Sequence, residues 1–324
     1  MNGICTLAND TVCDQLIALL NSIEVILGSN IPVCIYPFDN QLTRISAEIA
    51  KRPNVFMYED KTSIQRWDSF MQSAAPERLN SKKFRLYGAH RRFCAFDGPF
   101  EKFIYMDADT LVMNSLEAIF QKLDRYDWIV YDFQFLDPTK VYNIQSTKLL
   151  KVFDQKRIDS EIFCSGFYGA KKGLFDKATR DLILAKLKAG ESEILYSGAG
   201  EQPLLNYMVM SSGISSYNFA YSLPDRQKTG CSVTSSHFQE QDRILYDNGK
   251  RLTYLHYIGV QPQLISRVCS GENFDFPYRD LFLYYRYLHE PEKLPIFTEP
   301  AKLYNSNSQP NLLKRILRKL HLTP

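Results

Sequence analysis

The 324-residue chain has no uninterrupted apolar run approaching the roughly 18 residues that a membrane span needs. It has no C-x-x-C pair: its seven cysteines (Cys5, Cys13, Cys34, Cys94, Cys164, Cys231, Cys269) are odd in number and widely scattered. Met1 to Asp10 lacks the basic region and apolar stretch of a secretory signal. These absences together lead us to expect a folded protein of the reducing cytoplasm. No G-x-G-x-x-G follows the first apolar strand, and there is no G-x-x-x-x-G-K-[ST] and no His-Glu-x-x-His, which disfavours dinucleotide oxidoreductases, P-loop NTPases and zincins. The pairs Ser165-Gly166 and Ser197-Gly198 lack the G-x-S-x-G frame. A strong charge excess is also missing, with 39 Lys and Arg against 36 Asp and Glu. Four of those cations (Lys314, Arg315, Arg318, Lys319) fall between Pro310 and Pro324, where there is no acid; removing four from 39 leaves 35 against 36 over residues 1–309. The body is neutral and its end is basic.

What is present is an apolar fraction of 45%, enough for a sizeable core. Over the first hundred residues short apolar strands alternate with longer helical patterns, as in a sheet wrapped by helices. Strands are expected at Gly3–Ala8, Val33–Tyr36, Val55–Tyr58, Lys102–Met106, Trp128–Tyr131 and Leu252–Tyr257, with a strand-pair element over Ile162–Ala170. Helices are expected at Asp10–Leu27, Leu116–Leu123, Leu174–Lys188, Pro203–Met210 and Phe274–Tyr287.

The sharpest motif is Phe103-Ile104-Tyr105-Met106-Asp107-Ala108-Asp109, an apolar strand ending in two carboxylates two residues apart. The two-residue period of a strand puts both on one side, and open α/β sheets bind ligands at the carboxyl ends of their strands. Two hard oxygen donors there suit a divalent cation bridging to phosphates. Asp107 to Val112 also fits a haloacid-dehalogenase-type phosphatase with Asp107 as nucleophile, but the late acidic pair such an enzyme needs for magnesium is missing.

Further segments follow in a fixed order: Ile4 to Asp10, Lys83-Phe84-Arg85-Leu86, Asp107-Ala108-Asp109, Cys164-Ser165-Gly166, Glu201-Gln202-Pro203-Leu204-Leu205-Asn206 and His256-Tyr257-Ile258-Gly259. This ordered set resembles the GT-A-fold retaining glycosyltransferases of family eight, the galactosyltransferase and glycogenin type, over roughly residues 3 to 262. The resemblance implies an α/β fold of the GT-A (Rossmann-like) kind, a mixed sheet flanked by helices with a C-terminal helical extension. It implies a hexosyltransferase that takes a nucleotide-sugar, expected to be a UDP-sugar, and retains the anomeric configuration. Thr6, Ala8, Asn9 and Asp10 then cradle base and ribose, although Asn9 and Asp10 equally suit a helix cap. Arg85 is placed near the nucleotide, although Lys82, Lys83, Arg85, Arg91 and Arg92 together also read as a solvated helix face. His256 joins Asp107 and Asp109 as metal ligand, and such a donor set suits Mn²⁺, with Mg²⁺ as the alternative. Ala108 and Gly259 belong to the donor-binding loops, and Glu201 and Gln202 lie under the anomeric carbon as the catalytic pair. The chain departs from the family after Gly259: Val260-Gln261-Pro262 lacks the lysine that meets the donor phosphates, leaving a non-catalytic sugar-nucleotide binder as a further reading.

The expected organisation is a GT-A core over 1–262, an aromatic-rich helical extension over 263–302, a polar linker over 303–310 and a basic amphipathic tail over 311–324. At 100° per residue Leu312, Leu313, Ile316, Leu317 and Leu320 share one arc and the four cations take the other. Such a segment suits the surface of an anionic membrane, so the protein is expected in the cytoplasm and peripherally on a membrane's inner face. The acceptor is a glycan, a lipid-linked molecule or a protein; nucleic acid is not expected, because the body shows no basic-aromatic surface.

Overall fold

A computed structural model describes residues 1–75, 88–198 and 200–304. Eight strands matter most for the site: β1 (Asn2–Ala8), β2 (Val33–Pro37), β3 (Val55–Met57), β4 (Lys102–Met106), β5 (Thr110–Val112), β6 (Trp128–Val130), β7 (Phe167–Lys171) and β8 (Ser216–Asn218). All but β5 form one sheet in the order β3-β2-β1-β4-β7-β6-β8. β7 runs antiparallel to both β4 and β6, while the other neighbours pair in parallel. The sheet is therefore mixed, and the ends of β1, β4 and β6 meet the start of β7 at one edge.

Side-chain alternation accounts for both buried faces of this sheet. Cys5 and Leu7 of β1 and Phe103 and Tyr105 of β4 point into an aromatic core with Trp67, Phe96, Trp128 and Tyr168. Ile4 and Ala8, with Ile104 and Met106, pack on the other side against Leu16, Leu20 and Ile23 of the helix Cys13–Leu27. A third cluster joins Leu111 and Met113 to Leu255, Tyr257 and the helix Arg279–Arg286. It attaches the C-terminal extension to the body. Further along, β9 (Gln239–Gln241), β10 (Ile244–Asp247) and β11 (Lys250–Arg251) form a small antiparallel sheet, and β12 (Tyr254–His256) pairs antiparallel with β5.

Three elements differ from the sequence reading. The expected helix Asp10–Leu27 opens as a 3-10 turn over Asp10–Val12, because Asn9 caps that turn by accepting from Thr11 N at 3.1 Å. The strand element over 162–170 is a single strand beginning at Phe167. The aromatic segment 274–287 is not one helix: Phe274–Asp275 pairs with Lys302–Leu303, and Tyr278 at φ 56° is left-handed, so the helix begins only at Arg279. Leu303, expected in the linker, thus belongs to a short strand pair, whereas 305–310 and the tail 311–324 lie outside the described residues. None of the seven cysteines forms a disulfide, and among the described residues no helix is long and apolar enough to cross a membrane.

Candidate functional site

β4 ends at Met106, and the next turn carries Asp107, Ala108 and Asp109 before β5 begins. The turn is fixed from several sides. Asp107 N donates to Gly166 O at 2.9 Å, Thr110 Oγ1 donates to Asp107 O at 2.7 Å, and Tyr257 N donates to Asp109 O at 2.8 Å. His256 arrives through the β5–β12 pairing, which sets it opposite Thr110, and its own N donates to Cys231 O at 2.7 Å. One ligand atom each from Asp107, Asp109 and His256 lie within 4.8 Å of one another. His256 Nε2 is 3.3 Å from Asp109 Oδ1.

Two oxygens and an imidazole nitrogen at this separation match the donor set of a first-row divalent cation. Gly166 keeps the space open. A Cβ there would stand 2.5 Å from His256 Cε1, closer than real side chains come, and a tight 3.0 Å from Asp107 Oδ2. The residues present therefore fit a metal ion.

Without a cation the three groups answer one another's charge, and a bound metal ion would take the place of the imidazole proton. Burial alone would favour a neutral imidazole at His256, but the charge and hydrogen bond of Asp109 hold its proton, raising its pKa well above the usual value. Burial opposes ionisation of Asp109 too, and there the charge of His256 wins, so its pKa is lowered. Asp107 goes the other way: burial pushes its carboxyl up against the pull of Arg92.

Arg92 is the residue the sequence reading misplaced. It lies in a 3-10 stretch over Ala89–Asp97, where no helical or strand period marks its direction, and it is only 6% exposed. Its guanidinium donates to Ser165 O at 2.8 Å and Ala89 O at 3.1 Å, and sits 3.1 Å from Asp107 Oδ1 and 3.0 Å from Glu201 Oε1. It also lies over the Tyr105 ring at 4.9 Å, whose hydroxyl donates to Asp107 Oδ1 at 2.9 Å. Arg92 is thus no part of a solvated face. Its neighbour Arg91 is likewise committed, to Asp68 at 2.9 Å. Arg85, the arginine named from the sequence, lies outside the described residues.

Glu201 precedes the helix Gln202–Ser211, whose N-terminal turn is stapled to the loop before β7. Asn206 accepts from Phe163 N and donates to Phe163 O, each at 2.9 Å, and Gln202 Oε1 accepts from Ser165 N at 3.1 Å. Glu201 and Gln202 are thereby brought beside Asp107 through Arg92 and Ser165.

At the end of β1, Thr6 Oγ1 is buried without a partner. Ala8 O accepts from Phe38 N at 3.0 Å, and Asn9 Nδ2 donates to Asp39 at 2.8 Å. Asp10 Oδ1 accepts from Arg44 N and Ile45 N at 2.9 and 3.1 Å, so it serves the start of the helix Thr43–Ile49. Gly259 stands at φ 85°, and its carbonyl accepts from Tyr304. After the departure at Val260-Gln261-Pro262, the next cation, Arg267, is tied to Glu272 at 2.6 Å. Lys250 is exposed on β11.

Asp132, two residues beyond β6, was not foreseen as a site residue. It is buried, and burial raises its pKa to about 7 despite hydrogen bonds from the backbone N–H groups of Gln134 and Cys164. Together with Cys164, Cys231, Ser232 and His256 it lines a cavity of about 570 Å³. Only a polar residue at a strand's end marked it in the sequence.

No protein-family model matches the chain, and no curated protein matches it. Among solved structures it is similar to the galactosyltransferase LgtC in complex with donor and acceptor sugar analogs, with TM-score 0.51 and 16% identity over 80% of this chain and 88% of that one. An active-site mutant of LgtC matches with TM-score 0.50 and 12% identity over the same shares. The apo form of the bifunctional glycosyltransferase WbbM matches with TM-score 0.50 and 12% identity, over 90% of this chain and 51% of that one. Likeness at these identities concerns the fold, and the mixed sheet flanked by helices is that of GT-A glycosyltransferases.

Proposed function

We propose that the protein is a metal-dependent glycosyltransferase of the family-eight kind, moving a hexosyl group from a UDP-sugar to an acceptor with retention at the anomeric carbon. The observation that carries this reading is the convergence of Asp107, Asp109 and His256 at the carboxyl edge of a GT-A sheet. Those three residues would hold Mn²⁺ or Mg²⁺. Such an ion, when bound, neutralises charge on the departing nucleoside diphosphate.

The chain's own groups divide the remaining work. Thr6, Ala8, Asn9 and Asp10 form the loop against which base and ribose lie, and the orphaned Thr6 hydroxyl supports a polar ligand there. Ala108 and Gly259 let the backbone approach the phosphates. Glu201 is held by Arg92 at 3.0 Å and Gln202 by Ser165 N at 3.1 Å. Neither is a free nucleophile: the carboxylate of Glu201 is paired with a cation, and an amide oxygen attacks poorly. They orient sugar hydroxyls and stabilise developing positive charge at the anomeric carbon. Retention then follows a front-face route, in which the departing phosphate accepts the proton of the acceptor hydroxyl that attacks on the same side.

Phosphatase chemistry is disfavoured because the late acidic pair that such an enzyme needs for magnesium is missing from the sequence. The tail 311–324 supports a peripheral location on an anionic membrane at the cytoplasmic face, with the acceptor at that surface. The test of the reading is UDP-sugar hydrolysis with added Mn²⁺. We expect turnover that ceases in Asp109→Asn; turnover intact in that variant contradicts the proposal, and phosphate release from simple phosphomonoesters that stops in Asp107→Asn would favour the phosphatase.

A further inference from the structure

His256 is followed at once by a tight turn over Tyr257, Ile258, Gly259 and Val260, with Val260 N donating to Tyr257 O at 3.0 Å and Gly259 left-handed at φ 85°. A positive φ at the third position is that of a type II turn, which suits glycine. Tyr257 anchors its start on both sides. Its N–H donates to Asp109 O at 2.8 Å, in the loop of the metal group, and its hydroxyl donates to Tyr278 O at 2.9 Å, in the C-terminal extension. The peptide between Gly259 and Val260 is pinned at both ends, because its N–H meets Tyr257 O while its carbonyl accepts from the Tyr304 hydroxyl, 45 residues along the chain. The two groups of a trans peptide point in opposite directions, so this pair of bonds fixes its plane.

Tyr304 reaches Gly259 from a fixed frame. Its ring packs on the cluster that contains Tyr257, Phe276 and Phe282. Just before it, Lys302–Leu303 pairs with Phe274–Asp275, Lys302 N donates to Asn273 O at 2.8 Å, and Asn273 Nδ2 donates to Glu299 O at 2.7 Å. The Arg279 guanidinium covers the Phe297 ring at 5.0 Å and holds the same segment further back. The extension thus ends in a strap whose hydroxyl closes on the turn.

The turn keeps two amides unspent. Among the described residues, Ile258 N and Gly259 N donate to no protein group, and the Ile258 side chain lines the cavity beside His256. Successive free N–H groups next to a metal group suit a phosphate, and they matter more here because Val260-Gln261-Pro262 brings no lysine. A carbonyl turned the same way would repel that phosphate. The Tyr304 hydroxyl engages the one carbonyl at the centre of the turn's left-handed residue.

We propose that Tyr304 is a positioning residue for the donor: its hydroxyl holds the Gly259 carbonyl away from the phosphates and keeps the N–H groups of Ile258 and Gly259 turned toward them. This rests on the glycosyltransferase reading. The test uses the full chain with Mn²⁺ and whichever UDP-sugar it hydrolyses. Tyr304→Phe keeps the ring and removes only the hydroxyl. We expect the KM for the donor and the Kd for UDP to rise about three- to tenfold, the range of one neutral hydrogen bond, with kcat changed less than about twofold. Mn²⁺ alone should bind the variant and the wild type equally, since Asp107, Asp109 and His256 are kept. Tyr287→Phe is the matched control: its hydroxyl, on the same extension, donates to Cys269 O at 3.2 Å, and its loss should leave KM as it is. An unchanged KM in Tyr304→Phe, an equal rise in both variants, or a fall in kcat, Mn²⁺ affinity or thermal midpoint in place of the KM shift would each overturn the inference. A wild type that neither binds UDP nor hydrolyses any UDP-sugar overturns instead the reading on which it rests.

Discussion

Replacing Arg92 by methionine, which keeps most of its volume, removes the cation between Asp107 and Glu201. Breaking a buried ion pair from one side costs about 3–5 kcal/mol, because the remaining charge stays desolvated. Here two carboxylates lose their partner, and the Ser165 and Ala89 carbonyls lose a charged donor. Asp107 lowers the cost, since its side chain is 25% exposed and its pKa is already raised. We therefore expect a loss of about 3 kcal/mol at pH 7.5, seen as a lowered urea midpoint at unchanged slope. The loss should shrink toward pH 5 as the orphaned Asp107 carboxylate, which burial already pushes up, takes up a proton. Added Mn²⁺ should recover more stability in Arg92→Met than in the wild type, because the cation then offsets the same carboxylates. A loss below about 1 kcal/mol that is flat across pH would refute the assignment of Arg92 as the site's internal counter-ion.

Other outcomes follow from the same geometry. The unfolded Asp132 has a pKa near 3.9, and burial raises it to about 7 in the folded state. The fold binds the proton more tightly, so stability falls as pH rises from about 4 to 7; Asp132→Asn should be more stable than wild type at pH 8, by on the order of 2–4 kcal/mol, and lose that advantage near pH 4. Thermal unfolding across pH checks this, and an Asn variant weakened most at pH 8 would contradict it. Gly166→Ala intrudes on His256 and Asp107 and should weaken Mn²⁺ binding by calorimetry about tenfold or more, whereas unchanged affinity would place the ion elsewhere. Removing residues 310–324 should lower binding to anionic liposomes and leave donor hydrolysis intact; equal binding would dismiss the tail as a membrane anchor.

Much of the metal group was legible because it rests on short-range rules. An apolar strand running into Asp107 and Asp109 marks the pair at its carboxyl end, although a turn and not the strand's period sets them together, and His256 closes another apolar strand. Their meeting depends on the β5–β12 pairing, which local pattern does not encode. Arg92 and Asp132 were hidden for a related reason. Both sit in irregular segments, where neither a period of two nor of 3.6 says which way a side chain points, and their burial comes from residues far along the chain. Asp10 shows a role that no local pattern announced: its Oδ1 receives Arg44 N and Ile45 N, a structural duty compatible with a ligand loop. The helix expected over 274–287 failed where the apolar pattern concealed a left-handed Tyr278.

Calorimetric titration of UDP into the protein, with Mn²⁺ present and with the metal chelated, tests the central claim most directly. The account predicts binding that requires the metal and is lost in Asp109→Asn. UDP binding of equal strength without metal, or no UDP binding in either condition, would contradict it.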